Sequence, residues 1–376
     1  MERVDICIVG AGPAGIATAA ALIKKRPALR ERILVLEKFR HPRHKLCGGG
    51  LTPWVDQSLR ELGLEAEVPT FHVNRVQIFF QERLLEFNIP GIMRTVRRNE
   101  FDAALAESLK RKGVRVLENA AVQEAVAQAN GIQLKTAAGD FVAKVVVGAD
   151  GAKSRIRRQF FHASASRVSR LIEVLAPVHN GAQELFEKRT AFIDFRPMRE
   201  GLQGYVWDFP CWNEGRAFLN IGLFDSRIHD DTDLPRADLP ALLQRHLTVR
   251  GYDPQTVIMG HPERWYHYAD QFSVPRVLLA GEAAGIEPWL GEGISAAIAY
   301  GPIAADTIIH GLETNDFTFT DYASRITSHR LGKFLRRNRI IAKLFYHRRL
   351  QMLLPLFGRA LQGYMWLTSA KQRKNF

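Results

Sequence analysis

The chain has 376 residues, 46% hydrophobic and 24% charged, a composition that excludes a disordered or low-complexity protein and implies a sizeable core. Its three cysteines, Cys7, Cys47 and Cys211, are far apart and lack C-x-x-C spacing, so neither a disulfide scaffold nor a structural zinc site is expected and a reducing compartment fits best. The formal net charge of +13 asks for an anionic partner (nucleic acid, anionic lipid or a phosphorylated small molecule), and composition alone does not choose among them.

Met1 to Asp5 pass directly into a strand without the basic start, apolar run and small-residue cleavage site of a signal peptide, which leads to the expectation of a cytoplasmic protein. No apolar stretch reaches the length of a membrane span. Val4 to Val9 is a short β-branched apolar run, the pattern of a buried parallel strand. Gly10-Ala11-Gly12-Pro13-Ala14-Gly15 follows at once, and the Ala-rich stretch Ile16 to Lys25 predicts a helix. After a turn at Pro27, a second strand over Arg32 to Leu36 ends at Glu37.

Each part has a physical role. Gly10 permits a sharp strand-to-helix turn, Gly12 lets a pyrophosphate approach the backbone, and Gly15 lets the helix pack close to the strand. The helix N-terminus offers unpaired N–H groups and the positive end of its dipole to phosphates. Glu37 stands about twenty residues beyond the glycines, where a carboxylate can hold ribose hydroxyls. Strand, glycines, helix, strand and acid in this order predict a dinucleotide site. The acid favours a free ribose 2′-hydroxyl, which allows FAD or NAD and argues against NADP.

His41 and His44 flank a basic stretch with Arg43 and Lys45. Without further ligands at suitable spacing this reads as a phosphate-facing or solvated loop rather than a metal site. Lys45-Leu46-Cys47-Gly48-Gly49-Gly50-Leu51 comes next. Farther on, Gly148-Ala149-Asp150-Gly151, with Ser154 and Arg157, follows the apolar strand Val145 to Val147. Tyr205-Val206-Trp207-Asp208-Phe209-Pro210 alternates, so its three aromatic rings share one strand face. Asn220-Ile221-Gly222 comes after it. Gly281-Glu282-Ala283-Ala284-Gly285 follows the strand Val277 to Ala280 and leads to Pro288, Gly291, Glu292 and Gly293.

The glycine motifs at Gly10, Gly148 and Gly281 together resemble the flavoprotein group that contains aromatic hydroxylases, flavin-dependent halogenases and prenyl reductases, over at least residues 1 to 310. The Cys-Gly-Gly-Gly segment at Cys47, the Tyr-x-Trp-x-Phe-Pro segment at Tyr205 and the strand with Gly222 are similar to signatures of geranylgeranyl reductases. Gly285, where many hydroxylases carry His, leans the same way. One departure is Gly281-Glu282, where the family has Gly-Asp; the longer acid is still expected to reach a ribityl hydroxyl.

The resemblance implies FAD as cofactor. Gly10, Gly12, Pro13, Ala14 and Gly15 would meet the pyrophosphate, with Glu37 and Lys38 at the adenosine ribose and Val122 nearby. Arg98, with Arg97 as the competing choice, would contact the cofactor ahead of Phe101-Asp102. Asp150 and Gly151 would mark the back of the flavin site, Asp150 being otherwise a turn residue before a glycine. Gly281 and Glu282 would sit by the ribityl chain. Gly291, Gly293 and Ile294 open an Ala-rich helix whose N–H groups would lie near flavin N1 and O2, where a helix N-terminus stabilises reduced flavin. Cys47 and Gly48 would stand against the ring, with Cys47 contacting substrate, donating a proton or touching flavin; alternatively Cys47 is a small buried filler. Tyr205 and Trp207 complete the expected catalytic set, with the aromatic face roofing the flavin and lining an apolar channel. Metal ligands are not expected.

The expected fold is α/β: a discontinuous Rossmann-like FAD-binding domain (residues 1–65, 95–170 and 270–310), an antiparallel-sheet substrate domain (66–94 and 171–269) and a basic helical C-terminal region (311–376). Asp230 to Pro235 reads as a polar loop before a helix. Leu331, Phe334, Leu335, Ile341, Ala342 and Phe345 keep near-helical spacing within a lysine- and arginine-rich stretch, an amphipathic basic helix. Leu350 to Leu367 is apolar but interrupted by Pro355 and Arg359, against a spanning helix. This region either packs on the substrate domain or docks at an anionic membrane, which would make the protein peripheral to the membrane's inner face. Nucleic-acid binding is not expected, since no recognised module accompanies the charge. The leading expectation is a reductase of prenyl double bonds on a diphosphate, lipid, quinone or pigment precursor. It would be supplied by NAD(P)H or reduced ferredoxin, since no second glycine-rich nucleotide motif is present. A flavin monooxygenase or halogenase is the alternative, and a non-catalytic flavin- or prenyl-lipid-binding protein the second.

Overall fold

Ile6 to Val9 are fully buried in the strand Glu2–Val9 because that strand is flanked on both sides in a parallel sheet. A computed structural model describes residues 1–162, 167–179, 182–229 and 235–347. In it, Ile8 pairs with Val35 of Ile33–Leu36 on one side and with Val147 of Gly139–Gly148 on the other. Val277–Leu279 and Arg115–Leu117 extend the parallel run outward. An antiparallel flap, Val122–Gln128 and Gly131–Thr136, hangs from Gly139–Gly148. Continuous apolar runs, rather than alternation, follow from covering both sheet faces.

The second sheet runs in the order Met259–Arg264, Val168–Pro177, Arg216–Asp225, Gly204–Asn213, Thr190–Asp194, Thr70–Phe80, Arg83–Val96 and Gly50–Leu51. It departs from the expected antiparallel pattern at one pair: Thr190–Asp194 lies parallel to Thr70–Phe80. The strand Gly204–Asn213 divides its side chains as alternation demands. Tyr205, Trp207 and Phe209 enter one apolar cluster, and Val206 enters the other. Asp208, on the side of Val206, accepts from His246 Nε2 at 2.8 Å and Arg250 Nε at 2.8 Å, from the helix Leu239–Val249 and its cap.

The helix Pro13–Lys25 starts three residues earlier than the Ala-rich run suggests, because Pro13 is well placed in a first turn where its missing N–H costs nothing. It is buried from Pro13 to Ile23 between the parallel sheet and the long helix Gly293–Thr314. The expected basic helix is preceded by a short one: Tyr322–Ser328 ends at His329, whose ring nitrogen accepts from Leu331 N and starts Arg330–Phe345. Leu331 and Leu335 join the core of the parallel-sheet layer, while Ala342, Phe345 and Tyr346 join the aromatic cluster of the second sheet. That helix therefore ties the two layers together. No helix among the described residues is long and apolar enough to cross a membrane. Asp230–Leu234 of the expected polar loop and the stretch Leu350 to Leu367 lie outside the described residues.

The crossing of the two central helices depends on Gly301, where a Cβ would stand 2.6 Å from the Ala17 carbonyl carbon and 2.8 Å from its Cβ. Gly301→Val is expected to force the helices apart and cost about 2 kcal/mol, as overpacking of a tight core does. A lowered thermal midpoint, with weaker flavin retention, is the expected result; an unchanged melt would show that the crossing has slack.

Candidate functional site

The turns after Val9, Gly148 and Leu279 all leave the same edge of the parallel sheet, because Val9 and Leu279 are both in register with Gly148. They open onto a cavity of about 680 Å³. Gly10 turns with φ +106°, a conformation that disfavours any side chain, and its N–H donates to Leu36 O at 2.7 Å. Gly12 is different: an added Cβ would meet nothing nearer than Arg43 at 3.6 Å, so the space over it is open. No side chain caps the N-terminus of Pro13–Lys25, so its dipole end faces the cavity unneutralised.

One end of the cavity is built on Glu37. Its Oε2 accepts from Ala11 N at 2.9 Å, and Arg43 Nε stands 3.3 Å from Oε1. Arg43 also reaches Asp102 Oδ2 at 3.1 Å, and Asp102 holds Arg98 in a two-pronged pair at 2.8 and 2.9 Å. Burial by itself would raise the Asp102 pKa, but Arg98 and Arg43 outweigh it and hold the carboxyl below its usual range. This chain of alternating charge, buried except at the half-buried Arg43, fixes Arg98 against the cavity wall. Between Arg97 and Arg98, burial distinguishes the two: Arg98 lines the cavity and Arg97 does not.

The opposite end brings together Lys45, Cys47, His261, Glu263, Gly291 and Gly293. Glu282 Oε2 accepts from Ala152 N at 3.2 Å and stands 3.5 Å from Lys45 Nζ and 3.6 Å from His261 Nε2. Burial opposes ionisation there, yet Lys45, His261 and Arg98 drive the Glu282 pKa far down. Lys45 and His261 are themselves in direct contact. Glu287, behind this end, is filled by donors: Oε2 accepts from Trp289 N at 2.7 Å, and Oε1 accepts from Leu290 N at 2.9 Å and Glu292 N at 2.7 Å. It organises the loop that delivers Gly291 and Gly293. Its pKa is pushed up to about 7, chiefly by burial.

Cys47 is held by the second sheet. Trp207 Nε1 donates to Asn220 Oδ1 at 2.7 Å, and Asn220 Nδ2 donates to Cys47 O at 3.3 Å. The rings of Phe209 and Trp207 press on Gly48, where a Cβ would lie 3.1 and 3.2 Å from them. Three motifs separated by up to 173 residues are thus one assembly. Burial raises the Cys47 pKa, with Arg98 opposing, so the sulfur is a neutral thiol; Sγ accepts from Gly49 N at 3.4 Å.

Of the residues singled out from sequence, Gly10, Gly12, Pro13, Ala14, Glu37, Lys38, Cys47, Arg98, Val122, Asp150, Gly151, Glu282, Gly291, Gly293 and Ile294 all line the cavity. Asp150 also behaves as a turn residue: Oδ1 accepts from Ser154 Oγ at 2.5 Å, and Oδ2 accepts from Arg155 N at 2.6 Å and Ile156 N at 3.2 Å. Gly15, Gly48 and Gly281 lie behind the wall as points of close approach; at Gly281 a Cβ would stand 2.6 Å from that of Ala14. Tyr205 and Trp207 are not cavity-lining residues; they stand behind Gly48 and Leu290, and Tyr205 donates its hydroxyl to Leu290 O at 2.5 Å. His41 Nδ1 pairs with Glu118 Oε1 at 3.0 Å, away from the cavity lining. Sequence reading missed His261, Glu263 and the Arg43–Asp102 pair. The first two sit on Met259–Arg264, a strand with no motif of its own, and only the basic character of residues 43–45 gave a signal.

Comparison with known proteins agrees with this geometry. The family model described as FAD binding domain matches residues 3–305. The chain is 24% identical over 363 residues to digeranylgeranylglycerophospholipid reductase 3 of Methanosphaera stadtmanae, covering 92% of this chain and 88% of that one. It is 26% identical over 358 residues to a menaquinone reductase of Mycolicibacterium smegmatis, covering 86% and 79%. Among solved structures, a geranylgeranyl bacteriochlorophyll reductase-like protein of Thermoplasma acidophilum superposes with a TM-score of 0.74 at 22% identity, over 94% of this chain and 88% of that chain.

FAD fits the residues present. Gly12 leaves room above an uncapped helix terminus, Glu37 stands at one end, and the other end is broad enough to be bounded by Cys47, Glu263 and Gly293. Gly12→Ala separates folding from binding. Its backbone (φ −81°, ψ −177°) suits alanine and the new methyl has space, so unfolding free energy should change by less than about 0.5 kcal/mol. Flavin affinity should fall by at least about tenfold, since a methyl would occupy the phosphate approach. Flavin titration beside a thermal melt reads both.

Proposed function

The chain belongs to the FAD binding domain family, and on that premise we propose that this FAD-dependent oxidoreductase saturates carbon–carbon double bonds of a prenyl lipid or prenyl quinone precursor. When bound, FAD supplies the hydride equivalent. The observation that carries the reading is Cys47 of the Cys47–Gly50 segment lining the cavity, in a chain similar over most of its length to named reductases. Electrons would come from NAD(P)H in passing or from reduced ferredoxin.

The chain's own residues then divide the work. Arg98 and the glycine turns hold the nucleotide. The Trp207–Asn220–Cys47 connection keeps the Cys47 loop in position against the reacting end. Tyr205, Phe195, Phe345 and Trp289 pack as one aromatic core behind Gly48 and Leu290 rather than lining the cavity, so they support the Cys47 end from behind. Positioning an unactivated alkene is where such a site contributes most. The Tyr205 hydroxyl is a poor acid, because burial pushes its pKa far up and Leu290 O already takes its proton.

A flavin monooxygenase or halogenase of the same fold is the competing reading. Anaerobic reduction of the bound flavin followed by a panel of prenyl compounds discriminates: a product heavier by two hydrogens supports reduction, and oxygen incorporation during aerobic turnover supports the competitor. In the same assay Cys47→Ala should keep FAD and slow turnover about tenfold or more, the loss expected for removing one positioning contact. Wild-type turnover would remove Cys47 from the reacting end.

Substrate would be collected at an anionic bilayer. The whole charge excess of thirteen lies in residues 322–376, which hold thirteen lysines and arginines and no acid, while the preceding 321 residues balance. On Arg330–Phe345, Lys333, Arg336, Arg337 and Lys343 are exposed beside Ile340 and Leu344, which are 50% and 44% exposed. Each basic group near such a surface contributes about 1 kcal/mol. Replacing Lys333, Arg336 and Lys343 by Gln should therefore weaken cosedimentation with phosphatidylserine vesicles roughly 100-fold. Retained binding, or binding indifferent to salt, would refute the docking role.

A further inference from the structure

We propose that Glu263 is the acid that supplies the proton in this reduction, an inference that rests on the reductase reading above. Glu263 is 7% exposed, lines the cavity, and its Oε2 has no hydrogen-bond partner among the described residues. It stands against the loop beside Cys47's end of the cavity: a Cβ on Gly291 would be 3.1 Å from Oε2, and one on Gly293 would be 4.0 Å from Oε1. Those glycines leave the carboxyl uncovered towards the cavity. A buried carboxyl with an unfilled oxygen is costly unless it has work to do.

The other acids of the site are spent. Among the acids lining the cavity, Glu37 is bound to Ala11 N and Arg43, Asp150 to Ser154 and two backbone N–H groups, and Glu282 to Ala152 N beside Lys45 and His261. Glu287 is filled by backbone donors and Asn338. Burial, together with the Glu282 and Glu287 carboxylates, raises the Glu263 pKa well above the usual range, against the pull of Lys45 and Arg98. Loss of the proton from Glu263 is disfavoured accordingly.

His261 is the side chain through which a proton would come from solvent. His261 lies two residues earlier on Met259–Arg264, so its side chain shares the face of Glu263, and it is only partly buried and touches Lys45. In the reaction, the alkene π bond breaks. One carbon takes a hydrogen with its electron pair from reduced FAD, and the other takes the proton as the Glu263 O–H bond breaks. The alkene would gain two electrons at the expense of bound reduced FAD, and the Glu263 carboxylate would regain a proton from solvent by way of His261.

Difference infrared spectroscopy on the oxidised holoprotein, wild type against Glu263→Gln, should show a protonated carboxyl C=O band that the substitution removes. It needs no substrate. Flavin photoreduced anaerobically should then reoxidise with a geranylgeranyl compound roughly 100-fold more slowly in Glu263→Gln, the scale of general acid catalysis, with Glu263→Asp recovering part of the rate. FAD content and dithionite reduction should match wild type. Absence of the band, or a wild-type reoxidation rate in Glu263→Gln, overturns the assignment. A wild type that carries the band but reduces no prenyl compound refutes the reductase reading itself, and the donor role with it.

Discussion

The site exists because three parallel strands end level with one another. Val9 and Leu279 both pair with Gly148, and the following turns are stitched together by Ala149 N to Val9 O at 2.8 Å and Ala280 N to Gly148 O at 2.9 Å. A one-residue slip would turn each strand's side chains to the wrong face and move a glycine turn off the common edge. Everything functional inherits this register. The helix terminus behind Gly12, the carboxylate at Glu37 and the acid at Glu282 are placed by strand ends, and Glu37 is then tied to the glycine turn through Ala11 N. The close approaches at Gly281 and Gly301 then allow the second helix to close the cavity from above.

Charge is distributed along the cavity with the same economy. At the Glu37 end, cation and anion alternate from Glu37 through Arg43 and Asp102 to Arg98, so each buried ion has an opposite neighbour and hydrogen bonds that offset desolvation. The Cys47 end instead holds a thiol, a carboxyl whose pKa burial raises, and one carboxylate held jointly by Lys45 and His261.

Much of this was legible from the chain. Local rules sufficed for the opening strand–turn–helix, since Gly10, Gly12 and Gly15 each answer a constraint of one short segment. The alternation of Tyr205, Trp207 and Phe209 likewise gave their common face. What lies between segments was not legible. Asn220 reads as an ordinary strand residue until it is seen bridging Trp207 and Cys47. Nothing around Glu263 distinguishes it from a solvent-facing strand acid, because the loop packed against it, with Gly291 and Gly293, lies some thirty residues away. The break at His329 was invisible for the opposite reason: hydrophobic spacing is similar in the two helices, and only the ring's bond to Leu331 N separates them.

The glutamate at position 282, where related sequences are expected to carry aspartate, acquires a physical meaning in this setting. Two carboxyls, Glu282 and Glu263, compete for the same cations, and in a buried site only one can ionise cheaply. The additional methylene lets Glu282 reach Ala152 N while staying within 3.6 Å of both Lys45 and His261, so it holds the lysine and the imidazole together. Glu263 is left with their residual pull and with two carboxyl neighbours, and its pKa rises. A shorter acid at 282 would loosen its hold on Lys45 and His261 and free them to stabilise ionised Glu263. The departure from the family pattern and the unpaired acid beside Cys47 are then two sides of one equilibrium, set by which carboxylate the cations prefer.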